Sequence, residues 1–171
     1  MSRIIRRATA VAAASLLGGG MLVPSARADV ATFPDPGGHI TGVRISHGPE
    51  TVAVTAYDAE MTLGTHYQFW LDTNPHDPGP EYRVNVIPNA GGNPLTKVAT
   101  FHGSGTRVKC DGLRGEADVF GEDYAKIVVP RSCIGNPSKV RAAVRGYYGD
   151  EHPVVVDWAP GKERFTPWIH R

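Results

Sequence analysis

The sequence predicts an all-β protein built as a single antiparallel, jelly-roll-like β-sandwich with one disulfide bond. Short runs of alternating apolar and polar residues recur along the chain, and residues 50–57 show this best, because Val52 and Val54 alternate with threonine and alanine. Gly- and Pro-rich turns separate these runs at spacings of about 8 to 12 residues, which is typical of sandwiches and barrels. No longer stretch combines a helical apolar period with helix caps, so no long helix is predicted.

The predicted strands follow in order from these runs, at residues 40–45, 50–57, 67–72, 82–86, 97–101, 106–110, 124–129, 140–147 and 154–158. Residues 82–86 are the expected antiparallel partner of residues 67–72. Three other segments lack strand patterns. An irregular opening segment is predicted at residues 29–38, and a charged Gly-rich connection at residues 111–123. A one-turn helix is predicted at residues 132–137.

The N-terminus has the features of a secretory signal peptide spanning residues 1–28. Arginines precede an uncharged run rich in Ala, Leu and Gly, and small residues follow at Ala26 and Ala28, where cleavage is expected. The run is short and contains three glycines, so it is not expected to anchor the chain in a membrane. After its cleavage no membrane span is expected. The remaining residues 29–171 form one predicted domain, and the sequence predicts a secreted, extracellular protein.

The charge of the predicted mature chain excludes one class of partner. Four of the 18 basic residues and none of the 17 acidic residues lie in the signal peptide, which leaves 14 basic against 17 acidic residues and a net charge of −3. A basic surface of the kind that binds nucleic acid is therefore not expected.

The two cysteines, Cys110 and Cys133, are expected to form a disulfide bond. An exported chain meets an oxidising environment, and two cysteines allow only one intramolecular pairing. The alternative is a nucleophilic cysteine, which needs a free thiol with a base beside it.

The stretch from Tyr67 to Arg83 contains the best candidate site. An aromatic strand runs into a loop stiffened by three prolines and leaves it in a second strand. Trp70 and Tyr82, which flank the loop, are candidate ligand-binding residues, because exposed rings on a sheet face stack on sugar rings or on another surface. The alternative is that both faces of the sandwich are covered and Trp70 is buried.

The same loop is a candidate cation site. Oxygen ligands suited to Ca²⁺ come from four side chains, those of Asp72, Asn74, Asp77 and Glu81. The alternative is ordinary turn chemistry, in which Asp and Asn side chains bond to their own backbone. The EF-hand pattern is not met, because the loop lacks the required glycine and final glutamate.

Three segments together resemble a group of small exported proteins of high-GC Gram-positive (actinobacterial) type. They are residues 69–82, residues 129–135 and residues 157–160, the last being Asp-Trp-Ala-Pro. The resemblance implies a β-sandwich broadly similar to carbohydrate-binding or DOMON-like modules, and it brings no catalytic residues. In these segments we also expect Arg131 to pair with Asp72 or Asp157.

The leading hypothesis is therefore a secreted, non-enzymatic module that binds a polysaccharide or another cell-surface component. The alternative is a small secreted hydrolase that uses carboxylates or a His-bound metal. No Gly-x-Ser-x-Gly or His-Glu-x-x-His motif occurs, and the seven histidines show no metal-ligand spacing. Acidic residues are too numerous in the turns for the presence of a pair to be diagnostic.

Overall fold

The computed structural model describes residues 28–88, 94–149 and 154–171. Within this part of the chain, two antiparallel sheets pack face to face, which confirms the predicted sandwich. The strands are β1 (Asp29–Pro34), β2 (Ile40–His47), β3 (Thr51–Asp58), β4 (His66–Asp72), β5 (Tyr82–Val86), β6 (Leu95–Lys97), β7 (Thr106–Val108), β8 (Arg114–Asp118), β9 (Tyr124–Pro130), β10 (Lys139–Tyr148), β11 (Val155–Ala159) and β12 (Ile169–His170), with a 3-10 helix at Arg131–Ile134. The predicted signal peptide, apart from its last residue, lies outside the described residues. None of the described helices is long and apolar enough to span a membrane.

The first sheet has the strand order β1-β2-β3-β9-β8, and the second has the order β11-β10-β4-β5-β6-β7, with β12 paired to β10. The chain crosses from one sheet to the other after β3, after β7 and after β9. Strands β3 and β9 are neighbours in the first sheet, and the strands that follow them, β4 and β10, are neighbours in the second. Because both pairs are antiparallel, the crossing from β3 to β4 and the crossing from β9 to β10 lie at opposite ends of these strands.

The main core lies between the two sheets and comes from strict alternation. In β3 the side chains of Val52, Val54 and Ala56 are fully buried, whereas the residues between them are half-exposed. Phe69 and Leu71 in β4 meet them from the second sheet. Alternation places every second residue on the inner face, so one apolar set forms the core and the other set faces outward.

The sequence analysis missed the two-residue strand β12. It also missed β1 and β8, which lie in the segments predicted to be irregular, residues 29–38 and 111–123. Both lie at an edge of the first sheet, where a strand can pair through its backbone while none of its residues is buried. Their sequences consequently lack an apolar alternation. The strand predicted at residues 97–101 is shifted: β6 ends at Lys97, and the chain after it leaves the sheet.

The disulfide between Cys110 and Cys133 is present, as predicted. It joins the segment that follows β7 of the second sheet to the 3-10 helix that follows β9 of the first. Both cysteines are half-buried and pack against the main core. Closing a loop of this size contributes about 3 kcal/mol to stability in the chain-entropy model.

Arg131 does not pair with a carboxylate, so the predicted pairing with Asp72 or Asp157 is wrong. Its buried guanidinium donates to three backbone carbonyl oxygens, those of Pro49 at 2.8 Å, Asn136 at 3.2 Å and Pro137 at 2.6 Å. The sequence could not show this, because carbonyl acceptors come from every residue type. Arg131 ties the turn before β3 to the turn after the 3-10 helix.

Replacing Arg131 with methionine is expected to destabilise the protein by about 2 to 4 kcal/mol, because the carbonyl groups lose donors that carry a charge. The measurement is urea unfolding followed by circular dichroism. Arg114→Met, at an exposed position on an edge strand, is the matched control and should change the free energy of unfolding by less than about 0.5 kcal/mol. Equal stability of the two variants would show that the three hydrogen bonds contribute nothing.

Candidate functional site

Asp72, the first residue of the predicted cation site, is fully buried and forms an ion pair with Arg141. Its Oδ2 atom accepts hydrogen bonds from Nε of Arg141 at 2.8 Å and from Nη2 at 2.6 Å. Its Oδ1 atom accepts a bond from the backbone N–H of Asn74 at 3.2 Å. Both carboxylate oxygens are thus engaged by the protein itself.

The other oxygens of the loop also serve its own backbone. Oε2 of Glu81 accepts from the backbone N–H of Thr73 at 2.6 Å, and Oδ1 of Asn74 accepts from the N–H of His76 at 3.1 Å. Burial raises the pKa of Glu81. Asp77 is exposed. Across the described residues, no group of three or more His, Cys, Asp or Glu side chains is arranged to hold a metal. These are the hydrogen bonds expected if the Asp and Asn side chains form an ordinary turn with their own backbone. Ca²⁺ binding stays a prediction.

Trp70 is fully buried, so the expectation that it presents an exposed ring to a ligand is wrong. It does lie on the outer face of the second sheet, but Phe101, Trp158 and Phe165 cover that part of the face. Phe101 meets Trp70 edge to face, with ring centroids 5.4 Å apart. The covering residues come from segments distant in sequence, which strand alternation alone does not reveal.

Tyr82 is half-buried and packs against the main core between the sheets. Burial raises the pKa of its phenol. The structure therefore gives Tyr82 a packing role, and ligand binding at this residue stays a prediction.

The C-terminal segment is held over the second sheet by both polar and aromatic contacts. The guanidinium of Arg141 lies 4.8 Å from the ring centre of Phe165 and 4.6 Å from that of Trp168. Thr166 forms two bonds with Ala142: its N–H donates to the Ala142 carbonyl at 2.9 Å, and its hydroxyl accepts from the Ala142 N–H at 3.1 Å. The centre of this sheet face is thereby closed.

The outer face of the first sheet, in contrast, carries an open groove of about 350 Å³. We call it the sheet groove. It is lined by Arg44, Ser46, Ala53, Thr55, Tyr57, Glu122, Tyr124 and Lys126. Its lining comes from the outward positions of β2, β3 and β9 and from the turn before β9.

The strand register orders the groove from small to large side chains. Ser46 stands opposite Ala53, and because both side chains are small, they project little above the sheet. Thr55 follows, between Arg44 on one side and Lys126 on the other. Two residues further along β3, Tyr57 stands opposite Tyr124. The groove thus runs from a flat polar floor, past two cations, to a pair of tyrosines.

The tyrosine end of the groove adjoins the turn between β8 and β9. Asp118 shapes this turn by accepting hydrogen bonds from the N–H groups of Phe120 at 3.1 Å and Glu122 at 3.3 Å. These bonds lower the pKa of Asp118. Phe120, at the tip, is 87% exposed, the most exposed large apolar side chain of the described residues.

The sequence analysis missed the sheet groove although its signal was present. The outward residues of β3 are Thr51, Ala53, Thr55 and Tyr57, a small set that ends in an aromatic ring. Small outward residues followed by a tyrosine indicate a flat sheet face with a stacking position. The aromatic stretch around Trp70 carried a stronger aromatic signal and pointed to the covered face.

In comparisons with known proteins, no family model matches the chain, and no significant match was found among curated proteins or solved structures. Function is therefore inferred from the chain's own residues.

Asp58, at the end of β3, is a second buried carboxylate of the described chain. Its Oδ2 atom accepts hydrogen bonds from the hydroxyl of Tyr67 at 2.6 Å and from that of Tyr148. Oδ1 accepts from the backbone N–H of Glu60 at 2.9 Å. Asp58 belongs to β3, whereas the tyrosines belong to β4 and β10, so this network ties the two sheets together.

The network predicts a loss of stability at high pH. Burial, followed by the bond to Asp58, raises the pKa of Tyr67 and Tyr148 far above 10, the usual value for tyrosine. The folded state therefore keeps these protons at pH values where the unfolded chain loses them. This stabilisation is complete below the unfolded pKa of about 10 and decreases as pH rises above it, by about 1.4 kcal/mol per pH unit for each tyrosine.

Urea unfolding between pH 8 and pH 11.5 measures this slope, and Tyr148→Phe should reduce it by one tyrosine's share. At pH 8 the same variant should lose about 1.5 to 3 kcal/mol, because a bond to a carboxylate is removed. A slope unchanged by Tyr148→Phe would mean that the hydroxyl titrates alike in the folded and unfolded states.

Proposed function

We propose that this chain is a secreted, non-enzymatic module that binds a polysaccharide or cell-surface glycan along the sheet groove. The observation that carries the proposal is the open groove, with Tyr57 and Tyr124 paired at one end of a polar floor. Tyrosine combines an apolar ring, which packs on the flat face of a sugar, with a hydroxyl that bonds to sugar hydroxyls.

The remaining lining suits the same class of ligand. Arg44, Thr55 and Lys126 supply donors, and Glu122 supplies an acceptor, so both kinds of partner for hydroxyl groups are present. From Ala53 to Tyr57 the strand advances about 13 Å, at about 3.3 Å per residue. A short oligosaccharide lying along β3 fits this length.

Binding is favoured over hydrolysis by the arrangement of acids. A glycosidase of the usual kind needs two carboxyl groups flanking the bond that is cleaved. Among the described residues that line the groove, Glu122 is the one acid. The nearby Glu116 forms an ion pair with Lys126 at 2.8 Å.

An extracellular location is supported by two features. Residues 1–28 have the pattern of a signal peptide, and Cys110 and Cys133 form the disulfide expected of an exported chain. The partner is then a glycan outside the cell, which agrees with the resemblance to carbohydrate-binding modules.

Binding to a glycan array and to insoluble polysaccharides tests the proposal. Tyr57→Ala and Tyr124→Ala should each weaken binding about tenfold or more, because each removes a stacking ring at the centre of the contact. Ile87→Ala is the control: Ile87 is an exposed apolar residue that directly follows β5 of the second sheet and does not line the groove.

Retention of binding by Ile87→Ala together with its loss in the two groove variants is the expected pattern. Full retention of binding by both groove variants contradicts the proposal. So does the absence of binding to every glycan on the array by the folded wild-type protein.

A further inference from the structure

A second candidate site lies on the outer face of the second sheet, beyond the covered part around Trp70. The register of β10, β4 and β5 places Arg145, Gln68 and Asn85 side by side in one row. Arg83 lies one row away, next to Trp70. With Tyr147, which neighbours Arg145 along β10, these residues form what we call the arginine cluster: Arg83, Arg145, Gln68, Asn85 and Tyr147.

No carboxylate of the described residues pairs with either arginine of the cluster. Neither Arg83 nor Arg145 forms an ion pair or a side-chain hydrogen bond within the described chain, whereas Arg141 pairs with Asp72 on the same face. The two guanidiniums instead lie over rings: that of Arg83 is 5.1 Å from the centre of Trp70, and that of Arg145 is 4.2 Å from the centre of Tyr147. Stacking uses the face of a guanidinium and leaves its N–H edge for an anion.

Three polar atoms of the cluster are buried without any hydrogen-bond partner. They are Nε of Arg83, Nε of Arg145 and Oδ1 of Asn85. Buried polar groups in native proteins are almost always paired, so several orphans in one cluster point to a missing ligand. Rotating the Asn85 amide by half a turn would present its NH₂ group as a further donor.

The positive charges of Arg83 and Arg145 both act on the hydroxyl of Tyr147. Burial raises the pKa of the Tyr147 hydroxyl, and the positive charges of Arg145 and then Arg83 oppose that rise. The hydroxyl donates to Oε1 of Gln68 at 3.1 Å. His66 stacks on Tyr147 at 4.2 Å, and burial followed by repulsion from Arg145 lowers its pKa.

A cleft of about 420 Å³ adjoins Arg145 and offers space for the rest of a ligand. Trp158 and Val156 supply apolar walls, and Lys162 adds a third cation. The acid in this cleft, Glu163, bonds to His102 at 2.9 Å rather than to Arg145.

We propose that the arginine cluster is an oxyanion-binding site, in which a carboxylate or phosphate group of a ligand bridges Arg83 and Arg145. The group accepts hydrogen bonds from both guanidiniums, and the body of the ligand extends over Trp158. This site is separate from the sheet groove and lies on the opposite side of the sandwich.

The test is an NMR titration of the ¹⁵N-labelled protein with acetate, glucuronate, phosphate and sulfate at constant ionic strength. We expect saturable shifts of the Nε–H signals of Arg83 and Arg145 with at least one of these anions. The anion that binds most tightly distinguishes a carboxylate ligand from a phosphate or sulfate ligand.

Arg83→Met and Arg145→Met should each weaken binding about tenfold or more, since each removes charge-assisted bonds. Arg114→Met, on the first sheet, should bind as the wild type does.

Thermal unfolding without anion separates a binding role from a structural one. The melting temperatures of Arg83→Met and Arg145→Met should stay close to that of the wild type, because the lost contact with a ring is offset by the removal of a half-buried charge that no described carboxylate pairs with. Lower melting temperatures in both variants would show that the arginines serve the fold and overturn the proposal. Shifts that are linear in anion concentration and alike at all arginines would overturn it as well.

Discussion

The ion pair between Asp72 and Arg141 determines which face of this sandwich is closed. The carboxylate is fully buried and the guanidinium is 25% exposed, so water screens their attraction only weakly. The same carboxylate fixes the start of the Pro-rich loop through Asn74. The same guanidinium stacks on Phe165 and so fastens the C-terminal segment. One pair thus holds two segments that are far apart in sequence.

The consequence is an asymmetry between the two sheets. The C-terminal segment, together with Phe101, closes the second sheet over Trp70, whereas the first sheet keeps its groove open at Tyr57 and Tyr124. Rings on a closed face contribute packing, and rings on an open face are available to a ligand. Among the described residues of the second sheet, the side-chain polar atoms that are buried without partners are Nε1 of Trp70 and three atoms of the arginine cluster.

Much of the fold could be predicted from the sequence, because strand alternation and cysteine pairing are local or combinatorial signals. The alternation around Val54 gave the central strand, and two cysteines allowed one disulfide. Edge strands β1 and β8 gave no such signal. The burial of Trp70 could not be predicted, because it depends on Phe101 and Phe165, and no local pattern reveals that long-range packing. Nor could charge patterns show that Asp72 pairs with Arg141 rather than with Arg131.

The most direct test of this account is hydrogen exchange of the Trp70 indole N–H by NMR, in the wild type and in Arg141→Met. The indole nitrogen is buried without a hydrogen-bond partner, so only the cover shields it from solvent. The account predicts slow exchange in the wild type and fast exchange in Arg141→Met while the backbone amides of β4 stay protected. Arg114→Met, an exposed change on the first sheet that leaves the ion pair intact, should behave as the wild type. Equally slow exchange in Arg141→Met would show that the cover does not depend on the ion pair and would contradict the account.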